Sequence, residues 1–310
     1  MNTKSKARLN FIYVLYSILG TMIILLLFNY KSDIPPEKLK EKYCNEHSQF
    51  IKIDGMDVHF RDEGAGMPFV LIHGTAASLH TWDEWAEKLV ETHRVIRMDL
   101  PAFGLTGPHS SRDYSIESYT MFLNQFLDSL DIDSFYLAGN SLGGNIAWNF
   151  TAAYPEKVKK LILVDASGYP MEDGHSWIFT LARTPVLNQI MKKLTPRFFI
   201  SNNLRQVYYD DEKIKEEVIT RYHQMALRAG NRQAFIDRAK TEYEDLSSKI
   251  KTIQTPTLIL WGAHDTWVPV NHAHRFKEDL PDSKMVILEN SGHIPMEENP
   301  EESLRSVLEF

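Results

Sequence analysis

The sequence predicts an α/β fold: a mostly parallel β-sheet with helices on both faces and a helical insertion over one end. Three observations predict it. Short Val/Ile/Leu-rich runs alternate with longer amphipathic stretches from residue 69 onward. That is the pattern of parallel strands joined by covering helices. The chain has 310 residues, 43% of them hydrophobic, which is enough apolar mass for one sizeable core. One interval, 169–254, lacks a strand-like run but is rich in large apolar residues such as Trp177, Phe179, Phe198 and Tyr208. A structureless loop of that length is improbable inside a compact domain, so a helical lid is expected there.

The first 49 residues differ in kind. Residues 9–28 (LNFIYVLYSILGTMIILLLF) are apolar nearly throughout, and residues 9–30 carry no charge. About 20 residues at ~1.5 Å each span a ~30 Å hydrocarbon core. Lys4, Lys6 and Arg8 precede the run, and positive charge stays on the cytoplasmic side. A cleaved signal peptide would have a shorter apolar region and a small-residue cleavage site. Here the run ends in Leu-Phe-Asn-Tyr-Lys. The expectation is a cytoplasmic tail at 1–8, a transmembrane anchor at 9–30 and a juxtamembrane linker at 31–49. Pro35-Pro36 lies near the linker's start. Residues 50–310 then form the folded domain, on the periplasmic or extracellular side. The net charge of −7 argues against nucleic acid as a partner, and the single Cys44 allows no internal disulfide.

Taken in order, 50–53 and 58–60 read as a hairpin around Asp54-Gly55. Strands follow at 69–72 (FVLI), 95–98 (VIRM), 135–138 (FYLA), 161–164 (LILV), 256–261 (PTLILW) and 285–288 (MVIL). Helical stretches at 118–130 and 146–154 lie between them. Ligands of such sheets bind beyond the carboxyl ends of the strands, so the polar residues just after each strand are the candidates for chemistry.

After the strand at 135–138 comes Gly139-Asn-Ser-Leu-Gly143, a G-x-S-x-G pattern leading into a helix. A sharp strand-to-helix turn there lifts the Ser141 hydroxyl above the sheet. Gly139 and Gly143 remove side chains that would collide around it. Serine alone is a poor nucleophile; it needs a base, and the base needs an orienting carboxylate. His293 follows the strand at 285–288 and Asp265 follows that at 256–261. The chain order Ser141, Asp265, His293 is the one this sheet calls for. Asp165 also ends a strand and is the rival acid.

The oxyanion of acyl transfer needs backbone donors. The Leu142 N–H is one, and the Thr75 N–H, in the loop after 69–72, is the other. Gly74 lets that loop approach the serine, and His73 is expected to hold it by hydrogen bonds. His264 is expected to point away from the acid. His272 and His274 are placed on a solvated helix face, with no carboxylate cluster to complete a metal site. The reading calls for no cofactor and no metal.

These motifs carry a resemblance. GNSLGG, HGTAAS at 73–78, DLPAFG at 99–104, WGAHDTWVP at 261–269 and SGHIPMEENP at 291–300 resemble, in that order, the α/β-hydrolase family. The resemblance covers 50–310. It implies an eight-stranded sheet, a helical cap and a serine-type triad. Members with an aspartate nucleophile differ at the elbow, and proline iminopeptidases carry Gly-Gly-Ser-Trp-Gly there. The expected function is a membrane-anchored esterase or lipase acting on a small apolar carboxylic ester. The alternatives are a carbon–carbon bond hydrolase with the same triad, or a non-catalytic ligand-binding protein on this fold.

Overall fold

The computed structural model of the chain describes residues 10–14, 16, 17, 20, 30–171, 177–242 and 244–310. The expected tail at 1–8 and most of the expected anchor at 9–30 lie outside the described residues. Among the described residues no helix is long and apolar enough to cross a membrane.

Eight strands form one sheet: β1 Ser48–Ile53, β2 Met56–Gly64, β3 Pro68–Ile72, β4 Arg94–Met98, β5 Phe135–Asn140, β6 Val158–Val164, β7 Thr257–Gly262 and β8 Ser283–Leu288. Their order is β1-β2-β4-β3-β5-β6-β7-β8. β2 runs antiparallel to both β1 and β4, and every later pairing is parallel. The β1–β2 hairpin turns at Asp54 (φ 47°) and Gly55 (φ 79°). Two consecutive positive φ values are what a two-residue turn of this hand requires, and Asp-Gly supplies them at low cost.

The parallel strands are buried on both faces. Phe122 and Phe126 of α3 (Ile116–Asp128), Ile146 and Phe150 of α4 (Leu142–Ala153) and Phe276 of α10 (Asn271–Asp279) pack on one side. Trp85 of α2 (Asp83–Leu89) and Leu304 of α12 (Pro300–Leu308) pack on the other. Burial of such aromatic side chains contributes roughly 2–3 kcal/mol each. His272, expected on a solvated face, is instead buried against the Tyr169 ring. The face of α10 that carries Ala273 and Phe276 turns into the core, and the residue beside Ala273 is carried in with it.

Between β6 and β7 the described residues hold no strand. They form α5 Trp177–Arg183, α6 Leu187–Met191, α7 Arg197–Val207, α8 Glu216–Ala226 and α9 Asn231–Lys240, within the stretch whose sequence lacked strand runs.

The linker is not a loose tether. Tyr30 and Leu194 form an antiparallel bridge, and Ile34 pairs in parallel with Arg228. The Lys31 N–H donates to Lys193 O at 3.0 Å, and Asp33 accepts from the Arg232 guanidinium. α1 (Pro36–Tyr43) buries Leu39 against Leu105 and Met225. Residues 30–43 are thus stitched to the helical insertion along much of their length.

Candidate active site

Ser141 sits at the junction of β5 and α4 with φ 55° and ψ −113°. A non-glycine residue held there costs roughly 1–3 kcal/mol and persists only when its surroundings impose it. They do. A Cβ at Gly139 would collide with the Gly143 carbonyl, and one at Gly143 would collide with the Ile72 carbonyl. The turn is therefore packed backbone against backbone. Gly74 also approaches closely: a Cβ there would lie 2.8 Å from Asn140 Oδ1 and 3.1 Å from Ser141 Cβ. The turn is locked by hydrogen bonds from Ser141 N to Val164 O (3.1 Å) and from Asn145 N to Ser141 O (3.0 Å).

His293 follows β8 and is buried. Its Nδ1 lies 2.6 Å from Asp265 Oδ2. Asp265 Oδ1 accepts from the N–H groups of Trp267 (2.7 Å) and Val268 (2.9 Å). With Nδ1 donating to the carboxylate, Nε2 is left as the proton acceptor. Ser141, His293, Gly74 and Thr75 line one cavity of about 160 Å³. The insertion adds Ile178, Met191, Leu194 and Phe199 to its wall, so the cavity is chiefly apolar. The Leu142 N–H is the first of α4, among the four that a helix start leaves without an intrahelical acceptor.

Asp165 ends β6 and is fully buried. It meets Gly262 N at 2.9 Å, not His293. His73 donates from Nδ1 to Gly74 O (2.7 Å), and its Nε2 accepts from Leu100 N (2.9 Å). Burial pushes its imidazole below the usual range, despite the charge of Asp99. His73 is thus a neutral brace between two loops. His264 stacks on Tyr209 at 3.8 Å, away from the acid.

Three supports lie inside motifs that the sequence singled out, but their partners had no signal there. Asn140 Nδ2 donates to His293 O at 2.9 Å, tying the elbow to the histidine loop. Asp99 accepts from Leu79 N and Leu105 N and pairs with His59 Nδ1 at 2.7 Å, all in the interior. Burial alone would raise the Asp99 carboxyl, but the charge and hydrogen bond of His59 hold it far below the usual carboxylate range. Glu298, in α11 (Pro295–Glu298), accepts from Tyr209 N (2.9 Å), Asp210 N (2.7 Å) and Gly292 N (2.7 Å). His293 N donates to Val207 O at 2.7 Å. The insertion and the histidine loop are therefore joined, backbone to backbone, through one carboxylate. The acidic run at 297–298 in the sequence offered no means of finding this partner.

A family model described as the alpha/beta hydrolase fold matches residues 67–300. The chain is 28% identical over 271 residues to 2-hydroxy-6-oxononadienedioate/2-hydroxy-6-oxononatrienedioate hydrolase 2 of Pseudomonas putida, covering 82% of this chain and 91% of the relative. Among solved structures, a putative lipase of Acinetobacter baumannii AYE superposes with a TM-score of 0.73 at 26% identity, over 90% of this chain and 96% of that one. A membrane phospholipase A shares the fold with a TM-score of 0.73 at 24% identity, over 98% of this chain and 97% of the other.

Proposed function

The chain belongs to the α/β hydrolase fold family, and from that premise we propose that it is a serine hydrolase cleaving carboxylic esters with an apolar acyl part. The observation that carries this reading is the buried Asp265–His293 pair at 2.6 Å opening, with the strained Ser141, onto one apolar cavity. Ser141 Oγ attacks the ester carbonyl while His293 Nε2 takes its proton. The oxyanion is held by the N–H groups of Leu142 and Thr75. Collapse expels the alcohol, which takes the proton back from His293. Water then repeats the two steps on the acyl-enzyme and releases the acid. Asp265 fixes the imidazole tautomer and offsets its charge when protonated. The test is a panel of p-nitrophenyl esters of graded acyl length. The expected result is kcat/KM rising with acyl length until the cavity is filled. Hydrolysis of acetyl esters alone, with no gain on lengthening, would overturn the apolar-acyl assignment.

A second reading has support from the Pseudomonas putida relative, which is named for hydrolysis of a ring-fission product. The same triad would then cleave a C–C bond. Loss of the colour of such a dienedioate at rates exceeding those of every ester would establish it.

Residues 9–30 are read as a membrane anchor with the N-terminus in the cytoplasm and the hydrolase domain outside. Support comes from the apolar run and the basic residues before it. The superposed membrane phospholipase A is of nearly the same length. Deleting 1–29, which spares the bridge at Tyr30, is expected to give active protein that stays in the supernatant. The full chain is expected to resist carbonate extraction, with its domain open to protease added outside. Extraction of the full chain by carbonate would refute the anchor.

A further inference from the structure

The mechanism above uses one of the two buried carboxyls grouped with His293. We propose that the second, Asp165, is a positioning residue: it keeps its proton and donates it from Oδ2 to the Asp265 carboxylate behind His293. The inference rests on the reading of Asp265 and His293 as acid and base.

The geometry leaves little choice. Asp165 is fully buried. Its Oδ1 accepts from Gly262 N at 2.9 Å, while its Oδ2, equally buried, meets no N–H or hydroxyl donor among the described residues. Asp165, Asp265 and His293 each present an atom within 4.8 Å of the others. Two buried carboxyls this close do not both ionise; they share a proton. Asp265 is the better place for the charge, because it accepts three hydrogen bonds, from His293, Trp267 N and Val268 N. Asp165 accepts one. Burial first, and the charge of Asp265 second, push the Asp165 carboxyl well above the usual range. The remaining ionisable group facing it, Glu298 on α11, pushes the same way. Glu298's own oxygens are taken up by three backbone N–H groups.

An O–H···O⁻ bond is among the strong ones, and it draws charge away from the oxygens that hold His293. Without it, Asp265 would pull harder on the imidazolium, and the base would stay protonated to higher pH. Removing the donor therefore moves the acidic limb of kcat/KM upward.

The test compares Asp165→Ala, Asp165→Gly and Asp165→Asn in the full chain. Glycine has no penalty at the φ of 47° found here, which guards against a folding failure of the alanine variant. Asparagine keeps an acceptor for Gly262 N and presents an amide donor to Asp265. The expected result is a limb moved up by about one pH unit in the alanine and glycine variants, and restored by asparagine. The same midpoint, followed by NMR of His293 in a Ser141→Ala background, needs no turnover. A wild-type protein that hydrolyses no ester would sink the functional reading, and the NMR arm would still decide the role of Asp165. An unmoved midpoint in the alanine and glycine variants overturns the proposal, and so does an asparagine variant that shifts as far as they do.

Discussion

Ser141→Ala is expected to lower kcat by ~10⁶-fold, the loss found when the nucleophile of another triad enzyme is removed, and to abolish labelling by a fluorophosphonate. The elbow itself should survive. Its bonds run through backbone atoms: Ser141 N to Val164 O, and Asn145 N and Ser167 N to Ser141 O. Alanine leaves all three in place and retains a Cβ like that of serine. Melting followed by circular dichroism should therefore coincide with wild type, so the loss is chemical. Esterase activity in this variant equal to that of the parent would remove Ser141 from the mechanism.

Asp265→Asn comes next in size, with kcat down ~10²-fold or more and KM little changed. Two backbone donors, Trp267 N and Val268 N, meet Oδ1. An asparagine that keeps its carbonyl on them must present its NH₂ group to His293 Nδ1. That favours the tautomer with the proton on Nε2, which has no lone pair for the Ser141 proton. The corresponding change costs ~10⁴-fold in another triad enzyme. A smaller loss is expected here because Asp165 lies beside the pair and is free to ionise once Asp265 is neutral. The double variant Asp165→Asn/Asp265→Asn should then fall roughly tenfold further. A crippled Asp165→Asn beside a near-normal Asp265→Asn would reverse the assignment of the acid.

The sheet was legible because its strands are short apolar runs with turn signals between them, and parallel strands buried on both faces have to look like that. Asp54-Gly55 specified its hairpin for a local reason, since both residues tolerate positive φ. Ser141, Asp265 and His293 could be placed after strands, and hence at the carboxyl end of the sheet, by counting alone. What escaped the sequence depends on contacts between distant segments. Glu298 reads as one acid in an acidic run, yet its partners lie 89 and 88 residues away in the insertion. His59 and Asp99 pair across 40 residues. The juxtamembrane linker is read from its charge and its Pro pair, which do not report the backbone bridges at Tyr30 and Ile34 that bind it to the insertion. His272 was misplaced because two of its neighbours on α10 face inward.

The clasp at Glu298 constrains how the cavity can be filled. The histidine loop and residues 207–210 share hydrogen bonds through that carboxylate and through Val207 O. Each bond to a charged acceptor contributes roughly 1.5–3 kcal/mol, so parting them is costly. Parting them would also pull His293 off its register with Asp265. The segment is therefore a pivot that cannot swing without disarming the base.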